Sequence, residues 1–102
     1  MSILDDVRKA AALRILFLAH AARQMMRPER MITPRDVEEV VRTGEVIEDY
    51  ADDVRGHSGL LLGSAGGRAI HVVCAPKDGY LAIITAYVPD EHQWSVDLRT
   101  RK

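Results

Sequence analysis

The 102-residue chain has 47% hydrophobic and 28% charged residues and a formal net charge of −1, which argues against wholesale disorder and against a strongly basic nucleic-acid binder. That length predicts one domain over residues 1–102 with a single modest core, since a chain of this size buries about two-thirds of its unfolded surface. The lone cysteine, Cys74, leaves no disulfide framework or thiolate zinc site, and the most apolar stretch, residues 10–22, is broken by Arg14 and His20, so a cytoplasmic protein with no membrane anchor is expected.

Ser2 and Asp5 read as an N-cap with an acidic first turn, and Leu4, Val7 and Ala11 recur at helical spacing, predicting a helix over residues 2–12. Two readings of residues 13–19 stay open. Ile15, Leu18 and Ala22 extend the helical stripe, whereas Ile15-Leu16-Phe17-Leu18 is apolar on every side, as in a short buried strand. Residues 20–27 predict a helix ended by Pro28, with His20, Arg23 and Arg27 sharing one face.

The next helix has the strongest local signature. Thr33 is its N-cap, Pro34 takes the first helical position, Asp36 stands where a capping box places its acid, and Ile32 can staple onto Val37. Gly44 ends it, and Val37, Val40 and Val41 form its apolar stripe. Residues 45–50 predict an acidic edge strand, residues 52–58 a polar loop, and residues 60–62 a buried strand turned by Ser64-Ala65-Gly66-Gly67.

Residues 67–89 form the organising hairpin. Two runs rich in Val and Ile flank a turn read as the three-residue loop Lys77-Asp78-Gly79. That loop sets Ala75 opposite Leu81, Val73 opposite Ile83, His71 opposite Thr85 and Ala69 opposite Tyr87. One face then carries Ile70, Val72, Cys74, Ala82, Ile84 and Ala86, and the other His71, Thr85 and Tyr87. Trp94 and Leu98 dock the tail. The expected fold is α+β, with N-terminal helices on one face of an antiparallel sheet of about four strands.

No phosphate-binding glycine loop, dinucleotide fingerprint or Gly-x-Ser-x-Gly elbow occurs, and Asp49, Asp52, Asp53 and His57 match no metal-ligand spacing. No metal or cofactor is expected. RNA cleavage without a metal needs a base for the 2′-hydroxyl, an acid for the leaving oxygen and cations for the phosphate. His20, His71, Tyr87, Arg23 and Arg30 are of the right types, provided they converge. A basic patch would also require Arg23, Arg27, Arg30 and Arg35 to meet Arg99, Arg101 and Lys102. A His71 fully buried and bonded to backbone would instead point to a structural histidine.

The series His20-Ala21, Arg30-Met31-Ile32-Thr33, Asp36-Val37, Gly44-Glu45-Val46-Ile47-Glu48-Asp49-Tyr50, Arg55-Gly56-His57-Ser58, His71-Val72-Val73, Ile84-Thr85-Ala86-Tyr87-Val88-Pro89 and Trp94 resembles a small prokaryotic family of the DUF4258 type. That family looks similar to the RelE, BrnT and MqsR toxins of toxin-antitoxin pairs. The resemblance implies a RelE-like sheet, metal-free RNA cleavage, an RNA substrate and a small zinc-finger protein as antitoxin-like partner. It marks His20, Arg30, Tyr50, His71, Thr85 and Tyr87 as matching positions, to which helix geometry adds Arg23. In that scheme His71 is base or acid, Tyr87 its partner or a stacking platform, Arg23 and Arg30 phosphate clamps, and His20 an orienting group. The alternative function is a non-catalytic interaction module for the zinc-finger partner.

Overall fold

In a computed structural model, which describes residues 2–54 and 56–102, the chain runs α1 (Ile3–Leu13), β1 (Ile15–Phe17), α2 (Ala19–Met25), α3 (Pro34–Thr43), β2 (Glu45–Tyr50), β3 (Ser58–Ala65), β4 (Arg68–Lys77) and β5 (Tyr80–Tyr87). Arg55 lies outside the described residues. Among the described residues no helix is long and apolar enough to cross a membrane.

The local signals act as expected at two helix starts. Ser2 Oγ accepts from the Asp5 N–H at 3.3 Å, and two acids in the first turn of α1 complement the helix dipole. At α3 both halves of the capping box form: Thr33 Oγ1 accepts from the Asp36 N–H at 3.1 Å, and Asp36 Oδ2 from the Thr33 N–H at 3.0 Å. Val37, Val40, Val41 and Ile32 are buried together. Helix α2 is shorter than expected, ending at Met25 before Arg27.

Residues 15–17 are a strand, which settles the open reading of that segment. The Leu81 N–H donates to the Arg14 carbonyl at 2.8 Å and the Leu18 N–H to the Ile83 carbonyl at 3.2 Å, so β1 runs parallel to β5. The sheet is therefore mixed and five-stranded, in the order β1-β5-β4-β3-β2, rather than antiparallel with about four strands. Pairing with a strand at the far end of the sequence leaves no hairpin signal to read.

The central hairpin has a different register from the one expected. Lys77 pairs with Tyr80, so the loop is Asp78-Gly79 with Gly79 at φ +87°. Between Val73↔Thr85 and Cys74↔Ile83 the register shifts and β5 carries Ile84 as an extra residue. The shorter loop and the bulge together place His71 opposite Tyr87, where Thr85 was expected, and Val73 opposite Thr85. The bulge also resets which side chains face the helices. Leu81 and Ile83 join Ile70, Val72, Cys74 and Ala86 in the core cluster, while Ala82 and Ile84 do not.

That cluster takes residues from all three helices, so the helices lie on one face of the sheet. Helix α3 packs on β3 and β4, α1 on β4 and β5, and α2 on β5. The β3–β4 connection is the two-residue loop Gly66-Gly67, with φ +62° and +80°. Both residues need the left-handed region that suits a hairpin's twist.

Candidate functional site

The face of the sheet away from the helices gathers the polar groups. Cross-strand partners share a face, so one row reads Glu45, Leu62, His71, Tyr87 and the next Glu48, Leu60, Val73, Thr85. The register shift at Ile47 in β2 brings Glu48 onto this face. The C-terminal segment then folds over it, closed on itself by the Trp94↔Arg101 bridge and by hydrogen bonds from the Ser95 N–H to the Thr100 carbonyl (2.8 Å) and from the Lys102 N–H to the Gln93 carbonyl (2.9 Å).

His71 is at the centre and is 0% exposed. Its Nε2 lies 2.9 Å from the Leu98 carbonyl and its Nδ1 3.2 Å from Tyr87 Oη. A carbonyl can only accept, so Nε2 carries the proton. Nδ1 of the neutral ring is then the acceptor, and the Tyr87 hydroxyl donates to it. Trp94 and Tyr87 both stand edge-on to the imidazole, at 4.4 and 5.3 Å between ring centroids. Burial lowers the His71 pKa, against the opposing pull of the Leu98 carbonyl and the Glu48 charge, and so favours the neutral ring.

Tyr87 is half-buried, and burial raises its phenol pKa. Arg101 and Arg30 both lie near enough for their charges to oppose that rise. Arg101 holds Glu48 through two nitrogens, with Nε 2.9 Å from Oε2 and Nη2 3.1 Å from Oε1. It also stacks 4.7 Å over the Trp94 ring. Tyr50 donates its hydroxyl to Glu48. Burial raises the Glu48 pKa, but the Arg101 and Tyr50 hydrogen bonds outweigh it and the net shift is downward. Partial burial and Glu48 raise the Tyr50 phenol.

The expected residues are thus only partly brought together. His71 and Tyr87 touch, Thr85 shares their face, and Tyr50 joins through Glu48 and Arg101. Arg30 donates from Nη1 to Gln24 Oε1 at 2.6 Å, and its loop is clamped by Arg68, which donates to the Arg30 and Met31 carbonyls. His20 and Arg23 are exposed on α2, and among the described residues no hydrogen bond, ion pair or ring contact links either to His71 or Tyr87. The imagined meeting of the two basic segments is altered by Glu45 and Glu48, which bind Arg99 and Arg101.

Glu48, Trp94 and the Leu98 carbonyl were not among the sequence-derived site residues, and Arg101 was named only as part of a basic patch. Glu48 lay hidden in an acidic run, and the tail carries no spacing that points to β4. Among the described residues no group of three or more His, Cys, Asp or Glu side chains is placed to hold a metal. Asp49 is bonded to His57, and Asp53 accepts from Ser58 Oγ at 2.7 Å.

A family model described as a domain of unknown function, DUF4258, matches residues 17–88. That span includes His20, Arg23, Arg30, Tyr50, His71, Thr85 and Tyr87 but ends before Trp94 and Arg101. No curated protein and no solved structure matches the chain.

Proposed function

We propose, since the chain belongs to the DUF4258 family and that family's description names no activity, that this protein is a metal-independent endoribonuclease of the toxin type, with Tyr87 as the group that meets RNA. The likeness to RelE-type toxins belongs to this proposal, as do a cytoplasmic setting and an antitoxin-like zinc-finger partner. The observation that carries it is the chain from the Leu98 carbonyl through His71 to the Tyr87 hydroxyl. It has the logic of an orienting group, a base and a reacting hydroxyl.

In the proposed reaction Tyr87 Oη takes the proton of a 2′-hydroxyl while passing its own to His71 Nδ1. The 2′-oxygen attacks phosphorus, giving a cyclic phosphate. The 5′-oxygen leaves with the proton that Tyr87 gives up as His71 returns its own. Glu48 stabilises the transient imidazolium, and Arg30 and Arg101 supply positive charge toward the phosphate. His71 is a positioning residue here, since its buried ring acts on RNA only through Tyr87.

The test is cleavage of a synthetic RNA oligonucleotide in EDTA by wild type and Tyr87→Phe, together with growth of a bacterial host on induction. Wild type cuts and arrests growth, and the variant loses about 100-fold or more in rate, the usual loss on removing an acid-base group. Intact RNA with wild type and equal growth in both strains would overturn the reading.

A second reading, a non-catalytic module that binds the zinc-finger partner, is favoured by the complete burial of His71 beneath Trp94 and by its bond to the Leu98 carbonyl, which together are the arrangement expected of a structural histidine. In that case Tyr87→Phe leaves partner binding unchanged and no RNA is cut.

A further inference from the structure

We propose that the outer edge of β1 receives an extended, acidic segment of another protein, which adds to the sheet beside Ile15–Phe17. This inference stands independently of the Tyr87 reaction, because it concerns the unpaired outer edge of β1 and not the polar face of the sheet on which Tyr87 lies.

Three observations carry it. The first is the free edge. Arg14 and Leu18 turn their backbone groups toward β5, so by alternation Ile15 and Phe17 present theirs outward, the template for strand addition. The second is apolar surface along the helix face of that edge, to which Ile15 and Phe17, two residues apart, both point. Ile15 lines a groove of 320 Å³ with Ala11, Ala12 and Val41, and Phe17 lines one of 240 Å³ with Ala22 and the exposed Met26. Side chains of an added strand would have somewhere to go.

The third observation is charge, which selects the occupant. Residues 14–35 contain five arginines and a single acid, Glu29. Arg14, immediately before β1, and Arg23, on the helix immediately after it, are both exposed. In the first groove the cations are already engaged, Arg8 by the Val41 and Gly44 carbonyls and Arg42 by Glu39, so the charge that selects the occupant is that of Arg14 and Arg23. A second copy pairing edge to edge would bring two such arginine sets together across a two-fold axis, which disfavours self-association. An acidic segment alternating with aliphatic residues satisfies both the charge and the grooves.

The probe is a fluorescein-labelled peptide of about eight residues alternating Glu and Val, long enough for a typical strand, with a Lys-Val peptide and a single-stranded RNA oligonucleotide as comparisons. Anisotropy reads affinity, amide chemical shifts read the site, and sedimentation reads self-association. Saturable, salt-sensitive binding of the acidic peptide, with the largest shifts at Ile15, Leu16 and Phe17, is the expected result. The double variant Arg14→Glu/Arg23→Glu weakens it about tenfold. Phe17→Pro removes one outward N–H without touching the ladder to β5 and abolishes it. Circular dichroism checks that this variant folds, and the charge variant decides if it does not. Absence of binding, equal binding of the Lys-Val peptide, shifts centred on the Tyr87 face, stronger perturbation of the same amides by RNA, or a dimer formed through β1 would each overturn the proposal.

Discussion

Trp94 stands edge-on to His71, 83° between ring planes and 4.4 Å between centroids, so the last segment of the chain forms the lid of the polar face. Trp94 is only 3% exposed. Trp94→Ala therefore removes the lid and opens a cavity beside a buried histidine. A loss of about 3–5 kcal/mol in urea unfolding is expected, and the His71 ring becomes open to water.

His71 couples stability to pH. Its folded pKa is lowered by burial, so below the unfolded value, near 6.5, the unfolded chain binds a proton that the folded chain resists. Stability from this group is full above that value and falls as pH drops through it toward the folded value. Urea midpoints at about pH 7.5 and about pH 5.5 should decline on acidification. A flat profile would contradict the neutral buried ring.

Glu48 acts lower on the pH scale. Its carboxyl is depressed because hydrogen bonds from Arg101 and Tyr50 overcome the burial that raises it. The resulting stability is present above the unfolded value, 4.5, and is lost as pH falls through the folded one. Glu48→Gln should flatten the acid limb of the stability curve. Added salt should shrink the difference, because the Arg101 side chain is 60% exposed.

Gly44 is required by crowding. It ends α3 in an extended conformation, φ −77° and ψ −177°, and a Cβ there would meet the Val40 and Leu62 carbonyl oxygens at 2.5 and 2.7 Å. Both are backbone atoms and cannot swing aside. Gly44→Ala is expected to cost about 1–3 kcal/mol, read as a lower thermal midpoint, with Thr43→Ala as a nearby control.

Cys74 is buried on the helix side of β4, and burial pushes its thiol up to about 12. A thiol reagent such as iodoacetamide should leave it unmodified in the native protein and label it only in denaturant.

Much of the helical layer was legible because its signals are local. The Thr33–Asp36 capping box and the Val37, Val40 and Val41 stripe each lie within one or two turns. The sheet was legible only where its strands are neighbours in sequence. β1 escaped full assignment because its partner is β5, and its short apolar run fits strand and helix alike. The hairpin was found but misregistered, since Lys77-Asp78-Gly79 suits a three-residue loop while pairing of Lys77 with Tyr80 leaves two. Nothing in the run Ile83-Ile84-Thr85 announces a bulge. His71 and Tyr87 could be selected from the strand pattern. The Leu98 carbonyl and the Glu48–Arg101 pair could not, because backbone groups leave no mark in a sequence and that pair joins β2 to the tail.

The parallel pairing of β1 with β5 also sets an order of events during synthesis. Ile15, Leu16 and Phe17 leave the ribosome before every other strand of the sheet, yet the strand that receives them is the last of the sheet to be made. The hairpins β2–β3, β3–β4 and β4–β5 close over short connections, whereas β1 must wait for nearly the whole chain and bear the larger closure entropy. In the interval three adjacent apolar residues stay unpaired. The nascent protein must keep its own first strand out of wrong partnerships until the final one emerges.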